Sequence, residues 1–262
     1  MVDLAADCFV AATLESLSPT PLRILCDFVC HVWDSVSATM IVYYNGRYLP
    51  NSEVAISPDD RGFLFGDGVY EVIASYKSKL FKCTEHLDRL AHGLKELQIE
   101  GVDAHSLEKV AHELIATNKL EGADALIHIQ VTRGVAPNNY ELACIGTTPT
   151  VYAQARSFLQ PVEQQQNGVN AILLPDQRWS RCDIKTIGLL PNILAAQRAR
   201  EAKAFEVIFS RDGLLQEGSR SSILFDPVST PRILNSPDLP DYETCEPPIL
   251  PPSAAYSSSI LS

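Results

Sequence analysis

Short runs of alternating apolar and polar side chains occupy much of the first part of the chain. Four of them have the length and the β-branched or aromatic content typical of strands, and they cover residues 41–44, 69–76, 125–131 and 150–155. After the first run comes Asn45-Gly46, a pair that tolerates positive φ at both turn positions. The pattern therefore predicts four strands, the first of which leads into a hairpin.

Two longer segments place apolar residues at helical spacing. Each forms one stripe: Leu87, Leu90, Ala91, Leu94 and Leu97 in the first, and Leu107, Val110, Ala111, Leu114 and Ile115 in the second. We expect Thr84 to cap the first helix, because threonine often accepts a hydrogen bond from the first turn. Arg89 falls off the stripe. Together these elements predict a small α+β domain over residues 40–160.

The polar segment 161–168 follows and is expected to be an interdomain hinge. Beyond it the pattern changes to a strand at 169–174, a helix at 193–204, a strand at 206–209 and a turn at 211–213. This strand–helix–strand alternation predicts part of an α/β domain over residues 169–225.

Both ends of the chain differ from this middle part. Eight of the 17 prolines lie in residues 226–262, and so many prolines, with serines, predict a disordered tail. Residues 1–39 are expected to be an upstream extension or a misassigned start, without a targeting segment because no basic region precedes their apolar stretches. The alternative for this extension is a short docked helix around Leu22 to Val32.

Composition narrows the class of protein. The net charge of −11 argues against nucleic acid and anionic membrane as partners, and no apolar run is long enough to span a bilayer. Seven cysteines without a CxxC pair are typical of reduced thiols and predict a cytoplasmic location. The six histidines show no paired ligand spacing, so no metal site is predicted.

Candidate chemistry lies in segment 178–185, RWSRCDIK, and in Glu217. Burial and the neighbouring cations Arg178 and Arg181 favour a lowered pKa for Lys185, which would make its amine nucleophilic. Such a lysine can hold an aldehyde cofactor as a Schiff base. Glu217 could supply the anion that a protonated pyridine ring requires.

Five motifs occur in one order along the chain: DRGFLFGDGVYE at 60–71, EHLDRL at 85–90, VTRG at 131–134, RWSRCDIK at 178–185 and QEGS at 216–219. In this order they resemble class IV (fold type IV) pyridoxal-phosphate (PLP) dependent aminotransferases, and most closely D-amino-acid transaminases. The resemblance covers about residues 40–225. It implies the two-domain α+β / α/β fold of that class, with the second domain truncated at its C-terminal end.

The same resemblance implies a function and roles for particular residues. The chain would transfer an amino group from an amino acid, first of all D-alanine, to a 2-oxo acid, using PLP in a homodimer. Lys185 would be the Schiff-base lysine and proton shuttle. Glu217 would contact the pyridine nitrogen, while Arg89 and Ser219 would contact the cofactor, Arg89 at its phosphate. Tyr70 would line the substrate carboxylate site.

Two departures from the family pattern affect specificity. Asn138 and Tyr140 stand where D-amino-acid transaminases carry an arginine and a histidine, and neutral donors bind a carboxylate less strongly than a charged fork. We still expect both to contact substrate. Arg220 and Ser222 stand where the family usually has serine and asparagine, and Arg220 would either crowd the cofactor or contact its phosphate. The alternatives are a branched-chain aminotransferase or an aminodeoxychorismate lyase of the same class. The change of composition after Phe225 adds a third, a non-catalytic truncated fragment.

Overall fold

A computed structural model describes residues 22–25, 40–136, 141 and 147–225, with the backbone alone for 22–25, 224 and 225. The described residues fall into two compact units. The unit that we call the lysine unit lies within 31–159 and 181–189. The other, the glutamate unit, comprises the described residues of 1–30, 160–180 and 190–262. Asn138, Tyr140 and the predicted tail at 226–262 lie outside the described residues, as does most of the extension.

The elements follow one another in mixed order. In sequence they are β1 (Leu22–Leu25), β2 (Ile41–Tyr44), β3 (Arg47–Pro50), a 3-10 turn (Asn51–Glu53), α1 (Arg61–Phe65), β4 (Gly68–Tyr76), β5 (Lys79–Leu80), α2 (Cys83–Glu96), α3 (Leu107–Thr117), β6 (Ala125–Thr132), β7 (Thr150–Ser157), α4 (Val162–Asn167), β8 (Ala171–Pro175), α5 (Leu190–Glu201), β9 (Glu206–Arg211), β10 (Leu214–Gly218) and β11 (Ser222–Phe225). The predicted mixture of α+β and α/β organisation is confirmed.

The lysine unit is built on an antiparallel sheet of six strands in the order β3-β2-β7-β6-β4-β5. One face of this sheet is the main core: alternate residues of β4, Val69 and Ile73, are almost completely buried there. The predicted stripes of α2 and α3 supply the rest of that core, with Leu87, Leu90 and Leu94 buried on α2 and all five stripe residues buried on α3. Periodicity thus identified both helices and the face that each buries.

Local signals at the ends of elements were less reliable. Asn45 and Gly46 form the predicted hairpin turn, with φ of 47° and 86°. Thr84 does not cap α2, however, because the helix already begins at Cys83 after Lys82, whose φ of 48° turns the chain out of the short hairpin β4–β5. The tight turn before the helix therefore sets its start.

The glutamate unit contains a three-stranded sheet in the order β10-β9-β8, with β8 parallel to β9 and β10 antiparallel to it. Helix α5 packs its Ala195 and Ala199 against Val207 and Phe209 of β9. A separate antiparallel ribbon joins β1 to β11. The helix predicted as the alternative for the extension is therefore wrong at Leu22–Leu25. These residues form a strand because β11, far along the chain, pairs with them.

The predicted boundaries between domains differ from the observed units at two places. The expected hinge contains helix α4, and residues 181–189 belong to the lysine unit although they were placed with 169–225. They do so because they extend the edge of β4: the Tyr70 amide donates to the Lys185 carbonyl at 3.0 Å, and the Ile187 amide to the Gly68 carbonyl at 3.1 Å. None of the described helices is both long and apolar enough to cross a membrane.

Candidate active site

The edge of β4 positions Lys185 beside Tyr70. Backbone hydrogen bonds to β4 fix the segment that carries Lys185, and its Nζ lies 4.7 Å from the centroid of the Tyr70 ring. This distance is that of a cation–π contact. The structure therefore brings together two of the residues predicted from the sequence.

A buried carboxylate lies next to this pair. Glu71 follows Tyr70 on β4, is completely buried, and accepts two hydrogen bonds from Arg89, from Nε at 2.5 Å and from Nη2 at 2.9 Å. It also pairs with His86 Nδ1 at 2.9 Å. Burial alone would raise the pKa of Glu71, but the hydrogen bonds from His86 and Arg89 and the charges of Arg89 and Lys185 outweigh it and lower that pKa to about 2. Arg89, one third exposed, is thus held in place by an ionised, buried partner.

His128 lies on the other face of the same sheet from Glu71. It pairs with Val72 across β4 and β6, so that its ring is the diagonal neighbour of Tyr70, with centroids 5.6 Å apart. Burial lowers its pKa to about 4, together with the charges of Arg156 and Lys185 and against a hydrogen bond with Gln130. Its Nε2 is buried and has no hydrogen-bond partner within the described part of the chain.

Glu217 lies in the glutamate unit and is held by an arginine. The Arg178 Nη1 donates to its Oε1, while Nε and Nη2 of the same guanidinium donate to the two carboxylate oxygens of Asp176, each at 2.9 Å. The side chain of Asp176 is fully buried and also accepts a hydrogen bond from Arg211 at 2.9 Å. Glu217 keeps 43% of its side chain exposed. One oxygen is therefore fixed by the protein while the carboxylate remains open to a ligand.

Ser219 and Arg220 are both directed to groups of the glutamate unit. The Ser219 hydroxyl donates to buried Glu206 at 2.5 Å, and its amide donates to the Val207 carbonyl at 2.8 Å. Arg220 donates through Nη2 to the Phe205 carbonyl, and its Nε lies 3.8 Å from Glu206. A cofactor contact by Ser219 stays a prediction, and Arg220 has local partners that the sequence did not reveal.

Several of these groups were missed from the sequence. Glu71 and His86 stood inside quoted motifs without a role. Two signals could have found them: a glutamate in the buried register of a strand, and a histidine three residues before Arg89 on the same helix. His128, which follows the apolar run Ala125 to Ile127 in its strand, gave a similar signal. No signal in the sequence paired Asp176 with Arg211.

Comparison with known proteins places the chain in a family. The model of the family described as amino-transferase class IV matches residues 68–232, which is more than half of the chain. The chain belongs to the class IV aminotransferase family.

Two curated relatives indicate the branch of the family to which it is similar. D-alanine aminotransferase of Bacillus licheniformis is 43% identical over 185 residues, which are 70% of this chain and 64% of the relative. D-alanine aminotransferase of Staphylococcus haemolyticus is 39% identical over 183 residues, with the same two coverages. The chain thus spans about 64% of the length of the curated relatives that it matches.

Solved structures share the fold. The PLP-bound form of a hypothetical aminotransferase from Mycobacterium tuberculosis superimposes with a TM-score of 0.58 at 21% identity, covering 68% of this chain and 65% of that one. A branched-chain aminotransferase from Thermoproteus uzoniensis, crystallised with norvaline, gives 0.58 at 23% identity, covering 69% and 63%. The predicted class IV fold is confirmed.

Proposed function

We propose that this chain is a PLP-dependent transaminase that moves an amino group from D-alanine, or another D-amino acid, to a 2-oxo acid. The observation that carries the proposal is that consecutive residues of β4 contact two predicted site residues: Tyr70 contacts Lys185, and Glu71 holds Arg89 of α2. The names of the D-alanine aminotransferase relatives support this substrate class.

The residues present fit the chemical groups of PLP. When bound, PLP supplies an aldehyde and an electron-withdrawing ring that stabilises the carbanion left when an amino acid loses its α-proton. Arg89, held by Glu71, would bind the phosphate, because a guanidinium can pair with two phosphate oxygens. Glu217, half-exposed and held by Arg178, would accept a hydrogen bond from the ring nitrogen.

Lys185 is the residue that we assign to proton transfer. Its Nζ would take the proton from the substrate Cα and return it at C4′ of the cofactor. The nearby Tyr70 ring restricts the position of the ammonium by a cation–π contact, and Glu71 contributes a negative charge close by. Tyr70 would line the carboxylate site, with Asn138 and Tyr140 as further substrate contacts.

A branched-chain amino acid is the second candidate substrate. Asn138 and Tyr140 offer no fixed positive charge to a carboxylate, which departs from the D-amino-acid pattern. A solved branched-chain aminotransferase also shares this fold. Assays with D-alanine and with L-leucine, each with 2-oxoglutarate, would separate the two by the product that accumulates.

The first test is the visible absorption of the purified full chain mixed with PLP, beside Lys185→Ala and the control Lys79→Ala. We expect a band in the parental chain and in the control, and its loss in Lys185→Ala, because only Lys185 is assigned to the cofactor aldehyde. The absence of a band in a folded parental chain would overturn the proposal and favour a non-catalytic fragment.

We further propose a cytoplasmic homodimer. Helix α1 supports an interface between copies, because Phe63 is 76% exposed and its neighbours Leu64 and Phe65 are also exposed. The cysteine pattern supports the compartment. Fractionation of the producing cells would test the location.

A further inference from the structure

We propose that Arg178 is the positioning residue of Glu217, and that it orients this carboxylate toward the cofactor ring nitrogen. The inference rests on the PLP-dependent function proposed above and adds a residue to its machinery. It is carried by three features of the glutamate unit: an irregularity in β10, a buried anchor for the guanidinium, and the balance of charges.

The backbone around Glu217 is not held by a regular ladder. Strand β10 pairs with β9 at Leu214, Leu215 and Gly218, and its register shifts between Leu215 and Gly218. Gln216 and Glu217 therefore occupy a β-bulge. Because a bulge leaves residues without a ladder partner and redirects their side chains, the position of the Glu217 carboxylate depends on its side-chain contact.

That contact comes from a guanidinium which is itself fixed. Arg178 forks onto both oxygens of Asp176, and its own amide donates to Asp176 Oδ1 at 3.0 Å. Its Cζ lies 4.7 Å from the centroid of the Phe209 ring, and its side chain is only 11% exposed. The planar guanidinium is held at one edge by Asp176 and at one face by Phe209, so that its third nitrogen, Nη1, has a single orientation. Nη1, which donates to Glu217, is therefore a fixed point.

The third feature is the pairing of charges around Glu217. Two carboxylates, Asp176 and Glu217, share two arginines, Arg178 and Arg211, and Arg178 is the one that contacts both carboxylates. Loss of Arg178 would leave Asp176 paired with Arg211 and would leave Glu217 without this cation. Arg211 supplies a matched control, because it is an arginine that also contacts Asp176. Its Nη2 also donates hydrogen bonds to the carbonyl oxygens of Arg178 and Trp179.

The test uses the full chain and its variants Arg178→Gln, Arg178→Lys, Arg211→Gln and Glu217→Gln. The dissociation constant for PLP is measured by equilibrium dialysis, and the environment of the ring nitrogen by the ¹⁵N resonance of ring-labelled PLP. We expect Arg178→Gln to raise the dissociation constant about 10-fold, as for loss of one charge-assisted hydrogen bond. Its ring resonance should shift toward that of Glu217→Gln, whereas Arg211→Gln should keep the parental resonance.

Arg178→Lys separates positioning from charge. A lysine keeps the positive charge but cannot fork onto Asp176 and reach Glu217 together, so we expect it to leave the resonance shifted. It also provides the comparison if Arg178→Gln does not fold by circular dichroism. Parental values in both folded Arg178 variants would overturn the inference alone. A parental chain that binds no PLP would overturn the proposed function, and this inference with it.

Discussion

His128 is a half-buried histidine whose pKa is far below that of an exposed imidazole. Its folded-state pKa of about 4 lies below the ordinary histidine value near 6.5, and burial is the main cause. Between these two pH values the unfolded chain binds a proton that the folded chain does not. His128 therefore destabilises the folded state as the pH falls from about 6.5 to about 4, and has no such effect above that window.

We expect His128→Gln to remove this acid sensitivity. Between pH 7 and pH 4.5 the parental chain should lose about 2 kcal/mol more free energy of unfolding than the variant, since glutamine does not titrate. Urea denaturation at the two pH values, followed by circular dichroism, measures the difference. His112→Gln, at an exposed position of α3, should behave as the parental chain does. Equal losses in all three proteins would contradict the buried, neutral imidazole.

Glycine at one helix position controls how closely α2 approaches the sheet. A Cβ placed on Gly93 would lie 2.8 Å from Val69 Cγ1 and 3.8 Å from Ile184 Cγ2. Val69 is 1% exposed and has little room to move. Because Gly93 lies one turn after Arg89, this close contact also sets the distance between Arg89 and Glu71 on β4.

A double-mutant cycle tests this contact. Gly93→Ala should destabilise the chain by about 1 kcal/mol, because overpacking exceeds the gain in helix propensity. Val69→Ala should cost about 2 kcal/mol through the cavity that it leaves. The double variant should be more stable than the sum of the two by about 1 kcal/mol, since the truncated valine makes room for the new methyl group.

Val42→Ala provides the control for that cycle, because β2 is separated from β4 by two strands. Its cost should add to that of Gly93→Ala within about 0.5 kcal/mol. If Val69→Ala and Gly93→Ala were also additive in urea denaturation, the close approach of α2 to β4 would not be the reason for glycine at this position.

For helices and strands, the prediction from the sequence was most accurate where the spacing of apolar residues repeats. The stripes of α2 and α3 recur over three or more turns, so that the errors of single residues cancel. The prediction from the sequence failed where a residue outside the segment determines its secondary structure. Lys82 starts α2 before Thr84, and β11 makes Leu22–Leu25 a strand.

Ordered motifs predicted Lys185, Arg89 and Glu217, but not the residues that hold them. Glu71 and His86 were quoted without a role, and Asp176 was not singled out. The contacts of Glu71 with His86 and Arg89, and of Arg178 with Glu217, join residues 15, 18 and 39 positions apart, separations at which spacing alone carries no information about distance. The chemistry of the proposed site was thus readable from the sequence, whereas the network that fixes its geometry required the fold.

The exposed apolar residues on α1 bear on the assembly of the whole molecule. Val135 is 53% exposed and forms a β-bridge with Asp60, the residue that precedes α1. The consecutive residues Phe63, Leu64 and Phe65 form an exposed apolar patch on α1. If this patch is the interface of the proposed homodimer, a charge placed at its centre must be desolvated on association.

We expect Phe63→Glu to weaken the homodimer at least about 10-fold, as measured by sedimentation at several protein concentrations. Leu159→Glu changes an 88% exposed leucine of the same unit and should leave the equilibrium unchanged. A monomeric parental chain at assay concentration would overturn the homodimer. A dimer that tolerates Phe63→Glu would place its interface elsewhere.

The path of the chain between the two units has a consequence for biosynthesis. The backbone passes from the lysine unit to the glutamate unit, returns for residues 181–189, and leaves again. Tyr70 receives its edge partner Lys185 only after about 115 further residues, which takes a ribosome roughly 6 to 23 s. The part of the β4 edge at Gly68 and Tyr70 lacks this partner during that interval. No single gene break can therefore yield each unit as one uninterrupted product. In a nascent chain, the edge of β4 at Tyr70 remains without this partner until Lys185 has left the exit tunnel.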